Sequence, residues 1–245
     1  MKSVLITGAN RSIGLETARQ LSQKGLFVYL GTRDLAKGEA VTKELNDRGF
    51  SNIQPIVIDV TKPDTILAAK KTIEKEQGKL DILINNAGIS KGFPENILTT
   101  SIDDIKEVFE TNFYGAINVT QVFLDLLKKS DSPRISNITS GLASFNLHSD
   151  PDWKYYDVKL ASYFPSKAAL NAFTIMLSYE LKDSPFKVNA IDPGYTATDF
   201  NQFSGPGTVE SAAAFIIKHT ITDNNAPTGQ FFSNDADEAS DRSAW

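Results

Sequence analysis

The sequence predicts an α/β fold in which helices flank both faces of a doubly wound, seven-stranded and mostly parallel sheet. Three observations predict it. Short apolar runs alternate with longer segments of helical period along the whole chain. Most of the short runs are continuously apolar, as strands buried on both faces of a parallel sheet require. A chain of 245 residues with 41% hydrophobic content can also build a sizeable core within one α/β domain.

Taken in order, the first strand is Val4–Thr7, and a glycine-bearing turn leads into a helix over Ile13–Lys24. Strand Phe27–Gly31 follows, then helix Leu35–Arg48, strand Ile53–Ile58 and helix Pro63–Gln77. The second half opens with strand Ile82–Asn85 and a long helix over Ile102–Lys129. Strand Arg134–Thr139 precedes a helix over Pro165–Lys182, whose Ala168, Ala169, Ala172 and Leu177 are available for packing. Strand Lys187–Ile191, helix Thr208–Thr220 and strand Gly229–Phe232 complete the pattern. Such strict alternation gives right-handed crossovers. No linker, repeat or low-complexity stretch interrupts it, so residues 1–245 are expected to form one domain. The polar, acidic run Asn234–Asp241 reads as a solvated end.

Composition narrows the possible functions. Net charge is −5 and the sequence pI about 5.1, and no basic run is present to face a nucleic acid. The chain has no cysteine, which excludes disulfides, thiolate metal sites and cysteine nucleophiles. His148 and His219, the two histidines, are far apart in sequence and lack carboxylates at ligand spacing, so no metal site is expected. Met1–Ile6 runs into a strand without a signal-peptide layout, and no apolar run approaches the ~18 residues needed to span a membrane. The expectation is a soluble, cytoplasmic protein.

Two elements carry chemistry. The turn Thr7-Gly8-Ala9-Asn10-Arg11-Ser12-Ile13-Gly14 follows the first strand and opens a helix. Gly8 suits the tight turn and Gly14 suits close helix–strand packing. A pyrophosphate at that helix N-terminus would gain backbone hydrogen bonds and dipole stabilisation. At the end of the second strand, an NAD site usually has an acidic residue for the ribose 2′-hydroxyl. Here Thr32 and Arg33 occupy that place, and Arg11 lies in the loop. Two guanidinium groups favour a 2′-phosphate through charge-assisted, bidentate bonds, so the expected cofactor is NADP(H).

The second element is Tyr163-Phe164-Pro165-Ser166-Lys167. Four-residue spacing puts Tyr163 and Lys167 one helical turn apart, with Pro165 suited to the first turn. A free phenol has a pKa of about 10, and a nearby ammonium is expected to lower it. Such a pair donates a proton where hydride delivery leaves negative charge on a carbonyl oxygen. Tyr155 and Lys159 share the same spacing. Their polar, aromatic surroundings and the lack of a following helix favour Tyr163.

These motifs together resemble the short-chain dehydrogenase/reductase family, over nearly the whole chain. The family's glycine motif matches Thr7-Gly8 through Gly14, with Ser12 in place of its middle glycine. The Asn-Asn-Ala-Gly signature matches Asn85-Asn86-Ala87-Gly88. The resemblance implies a Rossmann fold and assigns catalytic roles to Asn112, Ser140, Tyr163 and Lys167. By analogy Tyr163 is the general acid, Ser140 bonds the carbonyl oxygen and Lys167 binds the nicotinamide ribose and lowers the tyrosine pKa. Asn112 would hold a water that relays protons. It implies cofactor contacts from Gly8, Asn10, Arg11, Ser12, Ile13, Gly14 and Arg33. Asp59 and Val60 would lie near adenine. Asn86, Ala87, Gly88, Tyr163 and Lys167 would contribute further contacts, and Pro193, Gly194, Thr196 and Thr198 would approach the nicotinamide.

The interval from Ser140 to Tyr163 is longer than is usual in the family. The extra segment, Asn146–Asp157, together with Thr32-Arg33-Asp34, resembles the carbonyl-reductase branch. The segment is a candidate flap over the substrate. Wall candidates are Phe93, Leu142, Phe145, Leu147, Trp153, Tyr195, Phe200 and Phe203, which suit an apolar or aromatic carbonyl. The expected activity is NADPH-dependent reduction of ketones or aldehydes and the reverse alcohol oxidation, by a homo-oligomer, dimer or tetramer. A non-catalytic NADP(H) sensor is the alternative. An enoyl reductase of the same fold separates its tyrosine and lysine by six residues, and that spacing from Lys167 falls on Leu160. An epimerase or dehydratase would need a longer C-terminal part than follows Pro193.

Overall fold

The computed structural model describes residues 1–91, 95–236 and 240–245. Seven strands form one sheet in the order β3-β2-β1-β4-β5-β6-β7. These are β1 Ser3–Ile6, β2 Phe27–Thr32, β3 Ile53–Val57, β4 Ile82–Asn85, β5 Arg134–Ile138, β6 Lys187–Asp192 and β7 Phe231–Ser233. All six pairings are parallel, so the sheet is wholly rather than mostly parallel. The order reverses between β1 and β4, which opens a crevice at the carboxyl ends of the strands.

Alternation along each strand divides the core in two. Val4 and Ile6 of β1 join Val28 and Leu30 on one face, packed by Ala18 and Leu21 of α1 (Ser12–Gln23) and by Phe215 and Ile216 of α8 (Val209–Thr220). Leu5, Tyr29, Leu83 and Ile135 point to the other face. There Ile66 and Ile73 of α3 (Pro63–Gln77) and Val119 and Phe123 of α5 (Gly115–Leu127) cover them. Burial of side chains such as Leu5 and Phe123, which have no exposed surface, contributes roughly 2–3 kcal/mol each. Helix α2 (Leu35–Asp47) packs beside β2 and β3. No helix among the described residues is long and apolar enough to cross a membrane.

Three local features differ from the sequence expectation. The long helix over 102–129 is divided into α4 (Ile102–Phe109) and α5 by a π-helical turn, Glu110–Tyr114. Wide turns of this kind arise where a side chain or a functional site requires an altered hydrogen-bond register, and Asn112 lies within this one. Helix α7 (Tyr163–Glu180) starts two residues before Pro165. Pro165 remains compatible because its missing N–H would have no partner within the first turn. The described residues of the acidic tail lie at the surface, with Asn234 and Ser240 exposed, but several are also tied to the body of the fold. Asn234 N donates to Asp192 O at 3.0 Å and Asp235 pairs with Lys154 at 3.2 Å. Asp241 pairs with His219 at 2.9 Å and also with Lys218. The remainder of that run, residues 237–239, lies outside the described residues.

Candidate active site

A cleft of about 720 Å³ lies across the carboxyl ends of the strands. Its first wall is the loop between β1 and α1. Gly8 has φ +62°, and a Cβ there would stand 3.0 Å from Ala87 Cα. At Gly14 a Cβ would meet Asn86 Nδ2 at 2.6 Å and Gly8 O at 2.8 Å. The loop therefore folds against the Asn-Asn-Ala-Gly turn only because both positions are glycine. Thr7 Oγ1 accepts the N–H groups of Asn86 and Ala87, each at 3.0 Å, and Asn86 Nδ2 donates to Thr7 O at 2.9 Å. Asn85 points into the sheet instead, donating to Asn137 Oδ1 at 2.8 Å and Thr120 Oγ1 at 3.0 Å. Arg11 caps α1 without a side-chain bond to its first turn. The orphan amides of that turn fit a phosphate group.

Ser12, at the place of the family's middle glycine, sits in the left-handed region at φ +50°. That is why glycine suits the position. Its hydroxyl donates to Asp199, which also pairs with Arg11. Arg33 lines the cleft, whereas the neighbouring Asp34 accepts from Lys37 N at 3.2 Å and caps α2. Asp59 is held by Thr61 N at 3.0 Å and Thr61 Oγ1 at 2.8 Å. Gly8, Asn10, Arg11, Ser12, Ile13, Gly14, Arg33, Asp59, Val60, Asn86, Ala87 and Gly88 all border this half of the cleft.

The other half is built on β5, α7 and β6. Ser140, Tyr163 and Lys167 line it together with Pro193, Gly194, Thr196 and Thr198. Lys167 is buried, and its Nζ donates to Ile138 O at 2.8 Å and stands 5.7 Å from the Tyr163 ring centre. Ser140 Oγ accepts from Leu142 N at 3.2 Å, and the Ser140 side chain acts to lower the pKa of the Tyr163 phenol. Asn112 does not line the cleft. Its Oδ1 accepts from Ile89 N at 2.8 Å, and its Nδ2 donates to Ile89 O at 2.9 Å and Ser166 Oγ at 3.0 Å. Ser166 Oγ in turn donates to Tyr163 O at 2.7 Å. A Cβ at Gly88 would stand 3.4 Å from both Asn112 Oδ1 and Lys167 Nζ, so Gly88 is flanked by both side chains.

The electrostatics differ from the expected lowering of the tyrosine pKa. Burial pushes the Tyr163 phenol up, the Asp192 carboxylate adds to this, and the Ser140 side chain opposes it. Burial draws Lys167 down to about 8 against the pull of Asp192. Asp192 itself, at the end of β6, is raised by burial to about 6. It accepts from Ser233 Oγ at 2.6 Å and Gly194 N at 3.0 Å. Sequence reasoning passed over this carboxylate, although its place directly before Pro193-Gly194 at a strand end was a signal. It also passed over Asp199 and Ser166, whose partners are revealed only by the fold.

The alternative pair, Tyr155 and Lys159, separates. Tyr155 lines the cleft, but Lys159 Nζ bonds His148 Nδ1 at 3.0 Å and His148 O at 2.9 Å. The inserted segment does border the cleft, through Tyr155, with Val158 and Leu160 just beyond it. Its start is a short helix, α6 (Phe145–His148). Of the expected walls, Leu142, Tyr195 and Phe200 line the cleft. Phe145, Leu147, Trp153 and Phe203 do not. Phe145 packs on Phe164 with ring centres 5.6 Å apart, Trp153 packs on His148 at 5.2 Å, and Phe203 is exposed. Phe93 lies outside the described residues.

The family model for short chain dehydrogenases matches residues 2–208. The chain belongs to the short-chain dehydrogenase family. It is an oxidoreductase acting on carbonyl or alcohol groups with a nicotinamide cofactor. Short-chain dehydrogenase anuI of Penicillium roqueforti (strain FM164) is 36% identical over 220 residues, covering 88% of this chain and 86% of that protein. The (+)-neomenthol dehydrogenase of Arabidopsis thaliana is 32% identical, with 94% and 95% covered. Among solved structures, NADPH-bound carbonyl reductase from chicken fatty liver superimposes with a TM-score of 0.85 at 27% identity, covering 100% of this chain and 99% of that one. Salutaridine reductase from Papaver somniferum gives 0.83 at 27% identity, with 96% and 100% covered.

Proposed function

We propose that this short-chain dehydrogenase is an NADPH-dependent carbonyl reductase for apolar or aromatic ketones and aldehydes, able to run in reverse as an alcohol dehydrogenase. The observation that carries the reading is the convergence of Ser140, Tyr163 and Lys167 with the phosphate loop on one cleft.

The cofactor supplies the hydride when bound. Gly8, Asn10, Ser12, Ile13 and Gly14 would hold its pyrophosphate, and Asp59 and Val60 would flank the adenine. Asn86, Ala87 and Gly88 would back the ribose, and Pro193, Gly194, Thr196 and Thr198 would face the nicotinamide end. Tyr163 is the proton donor to the developing alkoxide, and its raised pKa keeps it protonated at neutral pH. Ser140 orients the carbonyl oxygen. Lys167, close to half protonated near pH 8, restores the tyrosine proton and anchors the ribose. Asn112 acts through Ser166 and Ile89, holding the start of α7 and the loop after Gly88 in register. Leu142, Tyr155, Tyr195 and Phe200 supply an apolar wall suited to a bulky substrate.

The preference for NADPH rests on Arg33, which faces the cleft while the Asp34 carboxylate is spent on capping α2. A charge-assisted bond contributes about 1.5–3 kcal/mol, so Arg33→Ala is expected to weaken NADPH binding by roughly 10- to 100-fold and to leave NADH nearly unchanged. Titration of both cofactors by nicotinamide fluorescence reads this directly. Equal losses for the two cofactors would refute the assignment. The chain is also expected to form a homo-oligomer, which light scattering at micromolar concentration tests.

A further inference from the structure

Helix α7 begins at the catalytic tyrosine, so whatever fixes its first turn also fixes the phenol. The residue before it, Ser162, is the N-cap and is fully buried, yet its side chain caps nothing within the helix. The sequence explains why. A capping hydroxyl accepts from the N–H of the second or third helical residue. Here the third is Pro165, which has no N–H, and the N–H of the second, Phe164, is taken by Leu160 O at 3.2 Å. The Ser162 hydroxyl therefore turns outward and donates to Glu95 Oε1 at 2.8 Å, while Ser162 N donates to Glu95 Oε2 at 2.6 Å. One carboxylate thus satisfies both donors of a buried residue. It brings negative charge to the helix N-terminus, where the helix dipole favours it.

Glu95 lies 67 positions before Ser162, in the connection between β4 and α4 that begins with the cleft-lining residues Asn86, Ala87, Gly88, Ile89 and Ser90. It is not itself part of the cleft wall. The same turn of α7 is held from its inner side by Asn112 through Ser166 and Tyr163 O. The phenol ring rests on Phe200, with ring centres 5.5 Å apart. Phe164, on the other side of Tyr163, is held by Leu160 O and packs on Phe145, whereas the Glu95 bonds hold Ser162, the residue before Tyr163.

We propose that Glu95 is a positioning residue for Tyr163: by holding both donors of Ser162 it sets the start of α7 and so the reach of the phenol into the cleft. This rests on the reading of Tyr163 as proton donor. Misplacement of a reacting group by about 1 Å costs on the order of 100-fold in rate, and a loosened first turn should cost part of that.

The test compares the wild type with Glu95→Ala and Glu95→Gln. For Glu95→Ala, kcat for NADPH-dependent ketone reduction is expected to fall roughly 10-fold or more. The NADPH dissociation constant should stay within about twofold, because the phosphate loop is untouched. The solvent deuterium isotope effect on kcat should rise as proton transfer becomes limiting. Glu95→Gln keeps one acceptor and should recover part of kcat. Hydrogen exchange should show lost protection confined to the first turn of α7. Wild-type kcat and exchange in Glu95→Ala would overturn the proposal. So would equal losses of kcat, NADPH affinity and melting temperature in both variants, which describe general destabilisation. An inactive wild type would instead count against the reductase reading, and the exchange measurement would still decide whether Glu95 holds the turn.

Discussion

Asp192→Asn tests the electrostatics of the site, because Asp192 is a buried carboxylate that the fold must keep beside the catalytic pair. Its pKa is raised from 3.8 to about 6, chiefly by burial, with hydrogen bonds from Ser233 and Gly194 opposing the rise. A carboxyl group whose folded pKa lies above its unfolded value favours the folded state while protonated. That stability is fully present below pH 3.8 and is lost as pH rises through about 6. At about 1.4 kcal/mol per pH unit, the total loss is roughly 3 kcal/mol. By linkage it amounts to about 0.5 kcal/mol at pH 4 and about 3 kcal/mol at pH 7.5. Asparagine cannot ionise and escapes this loss, and its amide can still bond Ser233 and Gly194. Asp192→Asn should therefore gain stability relative to wild type by about 2.5 kcal/mol between pH 4 and pH 7.5. Urea unfolding at several pH values measures it, read as the change in the difference so that any constant packing effect cancels. A difference that stays flat with pH would refute the reasoning, and would mean that Lys167 already balances the carboxylate charge.

Other consequences follow from the same geometry. Lys167 is brought down to about 8, so kcat/KM for ketone reduction should be level below that pH and fall above it, as a pH–rate profile of the free enzyme reports. Ser12→Gly relieves a left-handed serine at the cost of an exposed hydroxyl bond to Asp199. Thermal unfolding should show a net gain of up to about 1 kcal/mol. Gly14→Ala drives a methyl group into Asn86 Nδ2 and Gly8 O, and titration should reveal NADPH affinity reduced by more than about tenfold as the phosphate loop is displaced.

Much of the fold was legible because parallel strands buried on both faces leave an unbroken apolar record, as Val4–Ile6 does between Ser3 and Thr7 and Ile82–Ile84 between Asp81 and Asn85. The phosphate loop was legible because its glycines answer to backbone geometry that is local in sequence. The π turn was not. It is a hydrogen-bond register stabilised by Asn112 through Ile89 and Ser166, 23 and 54 positions away, and helical periodicity carries no trace of it. The start of α7 was misjudged because Pro165 looked like a first residue, whereas Ser162 and Glu95 hold the turn that precedes it. The shift in the tyrosine pKa was misjudged for a similar reason. Lys167 was visible four residues away, but the burial that chiefly raises the phenol comes only with tertiary packing, and Asp192, which adds to it, reaches the site only through the pairing of β5 with β6.

The central claim is that Tyr163 donates the proton in an NADPH-dependent carbonyl reduction. NADPH oxidation should be followed with a panel of aryl ketones, aldehydes and quinones, with NADH in parallel, for wild type and Tyr163→Phe. The account predicts wild-type turnover with NADPH and little with NADH. For Tyr163→Phe it predicts a loss in kcat of at least about 100-fold with NADPH binding retained. A loss of only a few-fold, or equal use of the two cofactors, would contradict it.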